Sequence, residues 1–171
     1  MLLDLQLHST YSDGYLTPTE LVKFLHSKGV EVAALTDHNT VSGLHEFRHA
    51  CKKYEIKSII GMELYVKLGS KKFNLLWYNF NDDAPELHDM LRDSQVRRRK
   101  MARKVLNGLL KKGFKFDVNK ILDKYTHYVP INHVVDDVME NKSNMNKIRK
   151  DLGMQFPREE HVIEKYFHDP R

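Results

Sequence analysis

Cysteine is almost missing from this sequence. Cys51 stands alone, which excludes an internal disulfide framework and favours an intracellular setting. No apolar run approaches the roughly 18 residues of a membrane span. The opening Met1-Leu2-Leu3-Asp4 has neither the basic segment nor the long apolar stretch of a secretory signal. These absences lead to the expectation of a cytoplasmic protein with no membrane partner. Internal repeats and low-complexity tracts are lacking too. One stretch also lacks acid: Ser94 to Phe116 holds nine Lys and Arg and none of the 23 Asp and Glu.

What is present fits an ordinary soluble unit. The chain has 171 residues, 41% hydrophobic and 30% charged, enough for one domain with a real core and for a second only if it is small. A net charge of +5 permits an anionic partner. Ten histidines are the compositional oddity, and they make metal chemistry worth testing residue by residue.

Short apolar runs alternate with helical patterns over the first 80 residues, the signature of βα units around a parallel sheet. Leu2 to Leu7 reads as a strand. Thr17-Pro18-Thr19-Glu20 forms a capping box with proline at the first helical position, and Leu21, Val22, Phe24 and Leu25 supply an apolar stripe that Gly29 stops. Val30 to Leu35 reads as a second strand, Val41 to Tyr54 as a helix, Ile56 to Val66 and Phe73 to Phe80 as two more strands. Beyond Pro85 the pattern is helical. Met101, Ala102, Val105, Leu106, Leu109 and Leu110 share one predicted helix face. Arg97, Arg99, Lys100, Arg103, Lys104 and Lys111 lie largely opposite. That basic face reads either as a solvated surface or as a contact strip for phosphate or nucleic acid, with Arg97, Arg99, Lys100, Arg103 and Lys104 as the contacts. Shorter helices are predicted at Val118 to Lys124 and His133 to Glu140, and the polar tail from Asn141 has only weak periodicity. The expected division is a βα half barrel over 1–93 and a helical segment over 94–171 packed on it.

Polar clusters follow the first three predicted strands: Gln6-Leu7-His8-Ser9-Thr10-Tyr11-Ser12-Asp13-Gly14, Thr36-Asp37-His38-Asn39-Thr40, and Gly61-Met62-Glu63. In parallel βα architectures the C-terminal strand ends share one face, so His8, Asp13, His38 and Glu63 are expected to meet. Imidazoles and carboxylates together suit Zn, Mn or Fe.

These segments, with Asp4-Leu5 before the first and Val41-Ser42-Gly43 after the second, resemble the first three motifs of the PHP (polymerase and histidinol phosphatase) metal-dependent phosphoesterases. The resemblance covers about residues 2 to 140. It implies an α/β fold, a partial distorted (β/α) barrel with a helical insertion, and hydrolysis of a phosphoester by way of divalent metal ions. It makes His8 a ligand of a first metal and Glu63 a bridging ligand, gives Asp13 and His38 to another metal, and assigns catalysis to Asp13, His38 and Glu63. His133 resembles a histidine of the family's insertion motif. Gln6 and Asn74 stand where the family has ligand histidines, Ile131 stands in place of an arginine, and the chain ends before the family's late His-Pro and Asp-x-His motifs. A neutral amide is a poor ligand, so fewer than the family's three metals are expected. The implied substrate is a phosphorylated small molecule, nucleotide or oligonucleotide. The alternative is a catalytically degenerate domain that binds nucleic acid or protein. The open sheet edge of a half barrel invites a homodimer or a partner chain that completes it.

His45-Glu46-Phe47-Arg48-His49 matches the zinc-protease pattern H-E-x-x-H and gives a remote third reading. His26, near a helix C-terminus, and His88, His127, His161 and His168, in polar surroundings, lack ligand spacing.

Overall fold

A computed structural model describes residues 1–167. It divides into two compact units, Met1–Gln95 and the residues from Val96 onward. His168 lies outside the described residues, as does the end of the predicted helical segment.

The first unit runs β1 (Leu3–Leu7), α1 (Pro18–Ser27), β2 (Val32–Leu35), α2 (Leu44–Lys53), β3 (Lys57–Leu68), β4 (Lys71–Tyr78) and the start of α3 (Pro85–Lys111). Its four strands form one sheet in the order β1-β2-β3-β4. Leu3 and Leu7 of β1 pair with Val32 and Leu35 of β2, and Val32 to Leu35 pair with Lys57 to Ile60 of β3, all in parallel. The C-terminal ends of β1 and β2 therefore reach the same level beside the middle of β3.

From Gly61 onward β3 changes partner and pairs antiparallel with β4. β4 thus departs from the parallel βα pattern that the sequence shows over its first 80 residues. Only Gly69 and Ser70 separate β3 from β4, and a parallel return needs a crossover of a dozen or more residues. Gly69 takes a φ of 60° in that turn, which glycine adopts without steric cost. Gly61 sits at the change of partner. A Cβ there would lie 2.8 Å from Thr36 Cγ2 and 3.0 Å from the Leu35 carbonyl oxygen, so the sheet closes up only around a residue without one.

Thr17 caps α1 as the sequence predicts: its side chain accepts from the Glu20 N–H while the Glu20 carboxylate accepts from the Thr17 N–H. Val22 and Leu25 of α1 and Leu44, Phe47 and Cys51 of α2 pack with Ala33 and Leu35 of β2 into one core. Burying side chains of this size stabilises by about 1.5–3 kcal/mol each. A second core joins Met62 and Leu64 of β3 to Phe80, Leu87 and Leu91.

The second unit continues α3 and adds α4 (Val118–Leu122), α5 (Ile131–Met139), α6 (Lys142–Leu152), α7 (Glu159–Val162) and a π-helical turn (Ile163–Phe167). The buried seam of α3 here is Ala102, Leu106 and Leu109, narrower than predicted. Met101 and Leu110 are exposed, because spacing of four and three leaves them at the flanks. The polar tail holds α6, capped by Asn141 and stopped by Gly153 at a φ of 66°. Asn144, 1% exposed, accepts from the Lys115 N–H and donates to the carbonyls of Lys115 and Val138, so a buried amide replaces apolar periodicity as the anchor of that helix. None of the described helices is long and apolar enough to cross a membrane.

Candidate metal centre

Three loops and strands of the first unit deliver the site. His8 leaves the end of β1, His38 follows β2, and Glu63 lies on β3 opposite His38 in a parallel bridge. Ligand atoms of His8, His38 and Glu63 all lie within 4.8 Å of one another. His8 Nε2 is 3.1 Å from Glu63 Oε2, and the two imidazole rings stand 4.7 Å apart. Asp13 joins at the rim, with its carboxylate 3.2 Å from His8 Nδ1 and 3.5 Å from His38 Nε2. The four residues that the strand-end argument brings together are thus in one place.

Loop 8–14 closes tightly to put Asp13 there. A Cβ on Gly14 would lie 2.3 Å from the His8 carbonyl oxygen, a distance no side chain tolerates. The loop is tied down by Asp37, which is 2% exposed. Its carboxylate accepts from the Ser9 N–H at 2.7 Å, the Ser9 hydroxyl at 2.6 Å and the Ser12 hydroxyl at 2.6 Å. Gly43 leaves room for it, since a Cβ there would come within 3.0 Å of Asp37 Oδ2. Asn39 fixes the other side. At a φ of 48° its N–H donates to the Glu63 carbonyl and its Oδ1 accepts from the Tyr65 N–H. Its amide also donates to Ser94 Oγ, and Gln95 donates to its carbonyl.

The electrostatics follow from this packing. Desolvation pulls the His8 imidazole down, but the hydrogen bond and charge of Asp13, with Glu63 and Asp37 behind it, more than offset that loss and raise its pKa. Burial acts to raise Asp13, yet hydrogen bonds from His38 and His8 hold its carboxyl far below the usual carboxylate range. For Asp37 burial dominates over the Ser12 and Ser9 hydrogen bonds and pushes the carboxyl up. Two imidazoles facing carboxylates form the borderline donor set of a transition-metal or zinc site, so the residues present fit a divalent cation.

The other predicted positions are distributed over both units. Gln6 reaches the cluster with its amide, Nε2 donating to Glu63 Oε2 at 3.2 Å. Asn74 is exposed on β4, paired with Tyr65. His133 belongs to α5 of the second unit, where its ring faces that of Tyr125. Of the basic positions, Arg99 donates to the Leu122 and Tyr125 carbonyls and to Asp123, and Arg103 donates to Asn119. Arg97, Lys100 and Lys104 are exposed. In the H-E-x-x-H segment His45 and His49 are exposed, while Glu46 accepts from the N–H and hydroxyl of Thr19 at the start of α1. Among the described residues, the one group of three or more metal-ligating side chains is that of His8, His38 and Glu63.

Sequence reading assigned no role to Asp37, Ser9, Ser12 or Asn39. All four lie inside the strand-end motifs, and the signal that sets them apart is burial, which a motif does not display.

Comparison with known proteins gives this geometry a context. The chain is 36% identical over 110 residues to a 5'-3' exoribonuclease of Haemophilus influenzae, covering 64% of this chain and 40% of that protein. It is 31% identical over 103 residues to a 3',5'-nucleoside bisphosphate phosphatase of Chromobacterium violaceum, covering 60% and 36%. Among solved structures, a candidate metal-dependent phosphoesterase from Bifidobacterium adolescentis superposes with a TM-score of 0.81 at 16% identity, over 99% of this chain and 56% of that one. An amidohydrolase from Chromobacterium violaceum, with bound sulfate and no metal, gives 0.75 at 22% identity over 100% and 57%. At these identities the structural likeness shows the fold, a partial (β/α) barrel with a helical segment. The chain spans less than half the length of these two curated relatives. The PHP domain model matches residues 4–169, well over half of the sequence, and the chain belongs to the PHP domain family.

Proposed function

We propose that this chain is a metal-dependent phosphoesterase that hydrolyses a nucleotide or oligonucleotide phosphoester, with His8, Asp13, His38 and Glu63 as its metal-holding and catalytic residues. The observation that carries the reading is the convergence of His8, His38 and Glu63 donor atoms within 4.8 Å. A bound divalent cation would supply Lewis-acid polarisation of a phosphoryl oxygen and a lowered pKa for water. The rest falls to the chain. Asp13 faces both imidazoles and fixes their orientation, and His8 stands between Asp13 at Nδ1 and Glu63 at Nε2. The Asp37 clamp and the Asn39 clip hold these side chains in place before any ligand arrives, so little reorganisation remains at the moment of reaction. The names of the exoribonuclease and the bisphosphate phosphatase support a nucleotide-like substrate.

One observation favours a second reading, a domain of the same family that binds without turning over. Gln6 holds Glu63 through its amide, which withdraws one carboxylate oxygen from metal without offering a strong ligand in return. A manganese-supplemented assay on nucleoside bisphosphates and short oligonucleotides separates the two. Turnover abolished by Glu63→Gln supports hydrolysis; no turnover above that variant supports the binding domain. The protease reading loses its general base, because Glu46 is engaged with Thr19.

A further inference from the structure

The second unit carries cations that the metal centre does not use. Nine of the 28 Lys and Arg, and none of the 23 Asp and Glu, fall between Ser94 and Phe116, leaving 19 basic against 23 acidic residues elsewhere. The protein's positive balance therefore originates in this one segment. Several of the nine have structural work. Arg98 donates to the Val129 carbonyl with its guanidinium 4.0 Å from the Tyr128 ring centre. Arg99 and Arg103 hold α4 and the residues after it.

A second set points outward. Arg97, Lys100, Lys104, Asn107 and Lys111 are exposed and succeed one another at steps of three, four, three and four residues, which keeps them on one stripe of α3. At 1.5 Å per residue the stripe is about 21 Å long. Gly108 has nothing within 4 Å of where a Cβ would stand. Lys100, Arg103, Lys104, Asn107, Gly108 and Lys111, all on α3, line a shallow open depression there. Like charges at such spacing repel one another, and a regularly spaced polyanion relieves that repulsion. A protein partner would need an apolar anchor at the centre of its contact, and the exposed apolar residues of α3 in the second unit, Val96, Met101 and Leu110, lie to the sides of the stripe and not within it.

We infer that the exposed stripe of α3 is a docking surface for the sugar-phosphate backbone of a nucleic acid. Phosphates that recur along each strand at about 3.4 Å of helix axis provide several anions over the length of the stripe. Binding of this kind is independent of sequence and of the metal centre, so it stands apart from the proposed hydrolysis.

The test is fluorescence anisotropy of a labelled single-stranded oligonucleotide with the full chain in EDTA, where hydrolysis plays no part. Four phosphate contacts predict a slope of log K against log salt of about −2 to −3. Reversal of two of the cations, Lys100→Glu with Lys104→Glu, is expected to lower that slope by about 1.4 and to weaken binding at least tenfold. Lys52→Glu with Lys53→Glu on α2 changes net charge equally and should leave most of the binding intact. Lys100→Gln with Lys104→Gln serves as a milder pair if the reversed pair does not fold, with thermal melting as the check. A flat salt dependence, an equal loss in the α2 pair, or tighter binding of polyglutamate than of the oligonucleotide would each overturn the inference.

Discussion

Ser9 and Asp37 are joined twice, by the Ser9 N–H at 2.7 Å and the Ser9 hydroxyl at 2.6 Å, across 28 residues of sequence. The pair fastens the loop that carries Asp13 to the strand end that carries His38. Asp37→Asn turns an acceptor of three hydrogen bonds into a group that must aim a donor at other donors. The expected cost is about 1–3 kcal/mol, read as a lower urea midpoint, together with weaker metal binding. An unchanged midpoint would remove the clamp from the account.

Two glycines are predicted to respond in opposite directions. Gly14→Ala places a Cβ against the His8 backbone and is expected to destabilise by about 1–3 kcal/mol. Gly108→Ala meets nothing within 4 Å inside a long helix and is expected to stabilise by about 0.5–1 kcal/mol. Thermal melts of the two variants check both signs.

Cys51 is fully buried, and burial pushes its thiol up to about 12. Since the thiolate is the reactive form, a disulfide exchange reagent at pH 8 should find no thiol in the folded protein and one per chain in urea. Rapid labelling of the native protein would show that the α1, α2 and sheet core opens more readily than its packing indicates.

Alkaline pH is predicted to weaken the second unit. Burial, followed by the hydrogen bond to Asp137, raises the Tyr125 phenol. A group whose folded pKa is raised contributes fully below its unfolded value of about 10 and loses that contribution as pH climbs from there. Stability measured by urea should fall as pH rises from about 10, and Tyr125→Phe should flatten that fall. Equal slopes in the two proteins would contradict the assignment.

The path from sequence to structure was clearest where several local signals agreed. The capping box at Thr17, the α1 stripe and the β2 run each predicted their element, and the order of the motifs sufficed to gather His8, Asp13, His38 and Glu63. The direction of β4 was not legible from hydrophobicity, because β4 and a parallel strand share the same composition and only the two-residue Gly69-Ser70 turn decides between them. α6 was hidden for a different reason. Its anchor is the buried amide of Asn144, and polar residues read as surface until their partners are seen. The same holds for Asp37, which stands beside His38 in its motif without an assigned role and whose three bonds make it a clamp.

Metal binding tests the central claim most directly. Equilibrium dialysis of the full chain against manganese or zinc, with elemental analysis of the protein, should show bound metal that is lost in His38→Ala and Glu63→Gln variants that keep the wild-type melting profile. Metal retained undiminished by both variants, or no metal bound by the wild-type chain, would contradict the assignment of His8, His38 and Glu63 as a metal centre.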